Sequence, residues 1–293
     1  MNKSWKLKWI SQQSGILIHL IFYWLIPVLA MILNSSMSQC RTSNFNVLAF
    51  YTARNDPAHI SFVHEANRWF TEMASGHNFT YDSTQNWDNL NETYLSGYQV
   101  IVFLDTRPEE PLQRAAFRQY MENGGAWMGF HFAAFALTPS DFNQDWDWYH
   151  ETFLGSGSYV SNTWKPTPAI LRVEHPEHPA VAGLPEVFTS SPNEWYRWEN
   201  DLRDNASIEI LISIDHESFP LGTGPKLSEI WLEGDYPVVW TNKNFRMIYI
   251  NMGHNRIDYA HNPDRELSHT FNNPDQDRLI LDGLMWLGGQ CNR

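Results

Sequence analysis

From Phe45 onward the chain alternates short apolar runs with stretches in which apolar residues recur every three or four positions. Residues 45–51 (FNVLAFY) are a run of the first kind and predict a buried strand. Residues 59–73 are of the second kind, with Ile60, Val63, Ala66, Trp69, Phe70 and Met73 along one side of a helix. Residues 79–83 predict a second strand and 86–96 a short helix. Residues 100–104 (VIVFL) are a buried strand ending at Asp105, and a helix over 111–123 is closed by Gly124-Gly125. Residues 126–130 (AWMGF) form the next strand, which runs straight into His131. Further strands follow at 169–173, 208–214, 237–240 and 247–251, before a final helix over 274–286. This order predicts an α/β domain with a mostly parallel central sheet, helices on both faces and strand-rich additions in the C-terminal half. No repeat, low-complexity tract or long linker divides residues 39–293, which read as one domain. Ligands of such sheets gather beyond the carboxyl ends of the strands, so residues 51–59, Asp105 to Arg107 and His131 stand out.

The first 38 residues follow a different pattern. Lys3, Lys6 and Lys8 precede an apolar run over 15–33, and small polar residues follow it. This is the layout of an export signal, with Ser36 and Ser38 placed for cleavage before Gln39. The run is also long enough to stay as a membrane anchor, whereas the residues before Cys40 make a poor lipid-attachment motif. Either way the folded domain is expected outside the cytoplasm, periplasmic or extracellular.

Charge and composition narrow the function. Removing the lysine-bearing, acid-free residues 1–38 takes the net charge from −13 to −16, which argues against nucleic acid as a partner. Two cysteines, Cys40 and Cys291, exclude a disulfide framework and a cysteine zinc cluster. Fourteen tryptophans and twelve tyrosines suit sugar faces as well as cores.

Motifs then point to a family. The segment 124–134 (GGAWMGFHFAA) is similar to the GGGfvGiHaa pattern of the ThuA-like (trehalose utilisation) family. It is followed in the family's order by Trp146-Asp147-Trp148-Tyr149, HPEHPA at 175–180 with Gly183-Leu184-Pro185, Asn193-Glu194-Trp195-Tyr196, DHESF at 215–219, YPVVW at 236–240 and RMIYINMGH at 246–254. The loop ending in His59 corresponds to the family's histidine after the first strand. Asn193 stands where the family usually has Asp, and Tyr236 where it usually has His. The resemblance implies a class I glutamine amidotransferase-like, flavodoxin-like fold. It also implies a part in the use of trehalose or related disaccharides, with 3-keto-sugar intermediates among the candidate substrates.

In the amidotransferases the nucleophile sits on a strand-to-helix elbow whose following N–H groups hold an oxyanion. Here that elbow presents His131 and no thiol, so glutaminase chemistry is excluded. The expected catalytic groups are His131, His254, Glu194 and Asp215. Glu194 lies in an aromatic context that would raise its pKa, and Asp215 ends an apolar strand. His59, Asp105, Trp148, Tyr149, Trp195 and Tyr196 are expected to bind substrate. No residue is assigned as a metal ligand, although His59, His131, His254 and a carboxylate would suit a divalent ion such as zinc; no short-range ligand spacing singles them out. His175 and His178, each followed by Pro, read as turn residues. His64 and His77 have no supporting context. His261 and His269 lie in a polar loop, 255–275, of a length that suggests a rim or lid. The leading reading is a carbohydrate-processing enzyme using His-centred acid/base chemistry. The alternatives are a non-catalytic sugar-binding module and a structural partner in an envelope complex.

Overall fold

The computed structural model describes residues 44–54, 56–136, 146–163, 165–215, 218, 236–257 and 266–289, all within one compact unit, Thr42–Arg293. The expected signal or anchor and both cysteines lie outside the described residues. Among the described residues no helix is long and apolar enough to cross a membrane.

A nine-stranded sheet runs through the unit in the order β2 (Phe79–Thr84), β1 (Phe45–Phe50), β3 (Val100–Phe103), β4 (Ala126–Phe130), β11 (Phe245–Ile250), β10 (Pro237–Asn242), β9 (Ile208–Ile214), β6 (Ile170–Val173), β7 (Val187–Thr189). The first five strands pair in parallel and every later pairing is antiparallel. The sheet is therefore parallel through the half that carries the expected site and mixed as a whole. The strand-rich second half extends the same sheet instead of forming a separate layer. Beside it, β5 (Tyr159–Asn162) and β8 (Tyr196–Trp198) make a small two-stranded sheet. These two strands and β7, each of three or four residues, were not expected from the sequence.

Side chains of the central strands alternate between two cores. Val47, Ala49, Val102, Met128 and Ile248 face the helices α1 (Pro57–Gly76) and α4 (Pro274–Leu287), against Phe62, Phe70, Leu279 and Leu284. Leu48, Phe50, Ile101, Trp127 and Tyr249 face the other way. There the one-turn helix α2 (Glu92–Leu95) supplies Leu95, and α3 (Pro111–Glu122) supplies Phe117 and Met121. The helix expected over 86–96 is thus a tight turn at Trp87–Asn89 followed by α2, because Asn86 and Asn91 each cap a separate start.

Two local features set the working edge of the sheet. The Asp56 carboxylate accepts from the Ala58 N–H at 2.7 Å and Pro57 opens α1, which fixes His59 in the first turn of the helix. At Gly129 a Cβ would lie 2.0 Å from Cζ2 of Trp127, the same-face neighbour two residues back, whose ring is fully buried.

Gly129→Ala is expected to lower stability by about 1–3 kcal/mol through overpacking, measured as a drop in the denaturation midpoint. A pH-dependent term comes from Asp277 in α4. Burial, then the nearby Glu65 charge, pushes its carboxyl from 3.8 up to about 7. A raised acid contributes stability that is fully present below pH 3.8 and lost as pH rises through 7. Asp277→Asn removes the loss, so its Tm should fall less than that of the natural protein between pH 5 and pH 8, by roughly 2–4 °C.

Candidate active site

Three described non-glycine residues have positive φ: Ala53 (49°), Asp105 (58°) and His131 (42°). They follow β1, β3 and β4 at the carboxyl edge of the parallel strands. Such backbone costs on the order of 1–3 kcal/mol per residue and persists only where surrounding contacts enforce it. At His131 those contacts are visible. His131–Ala134 is a single tight turn rather than the start of a long helix. Its carbonyls are capped in succession: the Tyr249 hydroxyl donates to His131 O at 2.8 Å, the Arg107 guanidinium to Phe132 O at 3.1 Å, and the Tyr149 hydroxyl to Ala133 O at 2.9 Å. All three donors are buried, and burial draws the Arg107 pKa down to about 10. The Phe132 N–H, which would be an oxyanion donor in an amidotransferase elbow, instead donates to Asp105 Oδ1 at 2.9 Å.

Around this turn three imidazoles converge. Ring centroids lie 5.1 Å apart for His59 and His254, 5.5 Å for His59 and His131, and 5.9 Å for His131 and His254. His59 Nδ1 is in close contact with Asp105 Oδ2. His254 Nδ1 lies 3.2 Å from Glu194 Oε2, and the same oxygen is 3.5 Å from His131 Nε2. His254 arrives because Gly253, at φ 154°, lets the chain pass where a Cβ would come within 3.0 Å of His131 Cβ. Glu194 arrives because its N–H donates to His254 O at 2.9 Å.

Asn193 ties these two segments together. Its Oδ1 accepts from the Gly253 N–H (3.1 Å) and from the Asn255 amide (3.0 Å), while its Nδ2 donates to Ser191 O (2.9 Å). A carboxylate at this position could not make the last bond. Asn255 Oδ1 in turn accepts from His269 N and Thr270 Oγ1, and the Glu65 carboxylate accepts from Ser268 and Thr270. The described end of the 255–275 loop is therefore docked by a buried polar network, whereas His261 lies outside the described residues.

The electrostatics follow from burial set against the carboxylates. Burial draws the His59 imidazolium down, but the touching Asp105 outweighs it and holds the group up at about 9. Burial would raise both carboxyls, yet His59 drives Asp105 below its usual range and His131 and His254 do the same for Glu194. The aromatic surroundings of Glu194 thus do not raise its pKa as expected, because two imidazoles touch it. His131 is fully buried, and burial lowers its pKa further than Glu194 and Asp105 can restore.

Other expected site residues lie elsewhere. Asp215 sits two strands from β11 and is held by Arg172 at 2.6 Å. Trp195 is fully buried, its indole donating to Thr167 O. Tyr149 is the buried pin beneath the His131 turn, and Trp148 packs on Phe153 and Phe245 in the same core. These four are scaffold. Tyr196 does reach the cluster, with its ring 4.2 Å from that of His131. A cleft of about 280 Å³ opens beside His59 and Asp105, walled by Thr52, Thr106, Glu109 and Phe132. Phe132, Asn193 and Asn255 were not anticipated as site residues. Position beside His131, Glu194 and His254 was the only signal they carried.

The ThuA family, described as trehalose utilisation, matches residues 46–287. The crystal structure of a ThuA-like protein from Bacteroides uniformis ATCC 8492 is similar at 35% identity and a TM-score of 0.72, over 86% of this chain and 94% of that one. A ThuA-like protein from Parabacteroides merdae ATCC 43184 shares the fold at 16% identity and a TM-score of 0.56, over 86% and 92%. No protein of curated function matches the chain.

Asn193→Ala leaves the Gly253 N–H and the Asn255 amide without their buried acceptor. It should cost about 1–3 kcal/mol, read from urea denaturation midpoints, and an unchanged midpoint would show that Asn193 does not hold the two segments together.

Proposed function

The chain belongs to the ThuA (trehalose utilisation) family, and from that premise we propose that it is an exported carbohydrate-processing enzyme whose acid/base chemistry is centred on the histidines around His131. The observation that carries this reading is the convergence of His59, His131 and His254 with Asp105 and Glu194 at the carboxyl edge of the parallel strands. Two of the histidines form carboxylate–imidazole dyads through Nδ1. Each dyad fixes the ring's orientation and directs its other nitrogen away from the carboxylate, which is how an imidazole is readied to handle a proton or a polarised water. A module that only bound sugar would have no need to bury two carboxylates and two imidazoles against a third, half-buried one, given the desolvation that this costs.

The cleft beside His59 supplies a place for a sugar ring. Its walls combine the hydroxyls of Thr52 and Thr106 with the half-buried ring of Phe132, the mixture of hydrogen-bonding groups and a flat apolar face that pyranoses fit. Glutamine amidotransfer is disfavoured on two grounds. The elbow carries imidazole instead of a thiol, and its Phe132 N–H is already bonded to Asp105. Export rests on the apolar run over 15–33 and its flanking residues, and the sugar class rests on the family.

The test is turnover of trehalose, related neutral disaccharides and their 3-oxo derivatives by the purified protein. His131→Ala should lower kcat at least ~100-fold while calorimetry gives a sugar affinity within about threefold of the natural protein. Equal turnover by the variant removes His131 from the chemistry. Sugar binding by the natural protein, with no chemical change over long incubation, favours the binding-module reading instead.

A further inference from the structure

We infer that the focus of His59, His131 and His254 is a binding site for one divalent transition-metal ion, zinc being the probe of choice. One ring nitrogen from each of the three lies within 4.8 Å of the others. A triangle of that side has its centre about 2.8 Å from each corner, against about 2.1 Å for a zinc–imidazole bond, so a shift of well under 1 Å per ring closes the shell.

Three further features are those of a metal site. His59 and His254 are each held through Nδ1 by a carboxylate, Asp105 and Glu194. This is the outer-shell arrangement that orients metal-ligating histidines and leaves Nε2 free to bind. His131 is fully buried; its Nδ1 has no hydrogen-bond partner, and its Nε2 has only the long 3.5 Å contact with Glu194 Oε2. A buried imidazole left unbonded is costly unless something absent from the protein's own groups completes it. Finally, Asp105 and Glu194 stand directly against the three rings, and two carboxylates match a divalent cation in charge. Imidazole donors favour zinc, iron, nickel or copper over magnesium or calcium.

The inference rests on the reading that this cluster is the reaction centre. It assigns the imidazoles there the role of holding the ion, which would polarise a water or a sugar carbonyl in the adjoining cleft. A second group, His175, Glu177 and Glu209, lies on the surface with His175 and Glu177 well exposed and serves as the control.

The experiment uses the full chain, stripped with EDTA and reloaded with zinc or cobalt. Elemental analysis should find one ion per chain. His59→Ala and His131→Ala should each weaken zinc binding at least 100-fold, and Asp105→Asn 10- to 100-fold. His175→Ala should leave binding unchanged. Cobalt should give a visible absorption band whose position Asp105→Asn shifts in the fraction that remains folded, which separates ligation from folding. No retained zinc, binding that survives His59→Ala and His254→Ala together, or binding lost in His175→Ala overturns the assignment. Full turnover by the EDTA-stripped chain removes the ion and leaves the proposed enzyme standing. One bound ion with no sugar converted does the reverse.

Discussion

The Asp105 carboxylate is the point on which the site's geometry depends. One oxygen contacts His59 at the start of α1, and the other accepts the amide of Phe132 just after β4. A single buried group thereby joins the end of β3 to the helix that follows β1 and to the turn that follows β4. Asp105 itself sits at φ 58°, a strained conformation that these bonds compensate. Because the carboxylate is buried and its partners are a histidine and a backbone N–H, moving any one of the three segments would strand a charge in the interior. The edge of the sheet is therefore rigid where chemistry is expected.

The antiparallel half of the sheet completes the cluster from the other side. β11 is the last parallel strand, and its exit carries His254 across the His131 turn by way of Gly253. The segment before β8 supplies Glu194, locked to His254 by a backbone bond and to Gly253 through Asn193. Burial is what gives these contacts weight. In water each would be worth little, but with side-chain exposures of 0% for His131 and 9% for both Glu194 and His254 the local dielectric strengthens every pairing and penalises every gap. Beneath the turn, Tyr249, Arg107 and Tyr149 each satisfy one carbonyl. A turn of four residues thus draws on a strand, a loop and the wide helical turn Trp148–Phe153 for its stability.

Much of this was legible in the residues. Alternating apolar runs located the main strands and the long helices, because a strand buried on both faces must be apolar at every position and an amphipathic helix must repeat near 3.6. The run AWMGFH placed an imidazole at a strand exit, and the ordered motifs identified the family. What misled was aromatic content. Trp195, Tyr149 and Trp148 have the composition of a sugar platform but sit in the scaffold, since a large ring has the same sequence signature whether it faces a ligand or a core. The pKa of Glu194 went astray for a related reason: neighbours in sequence are aromatic, while its neighbours in space are two histidines.

The sequence by itself determined the class of fold, the carboxyl edge where function would lie and the residue types available there, because these follow from periodicity and from local turn chemistry. Only the tertiary structure decided which of those residues meet. His59, Asp105, His131, Glu194 and His254 are separated by as many as 195 positions, and their contact depends on tertiary placement: β11 beside β4, and the segment before β8 bonded to the exit of β11. Strand order is set by the packing of the whole core, which no local pattern encodes. By the same measure Asp215, equally acidic and equally at a strand end, falls two strands away and pairs with Arg172.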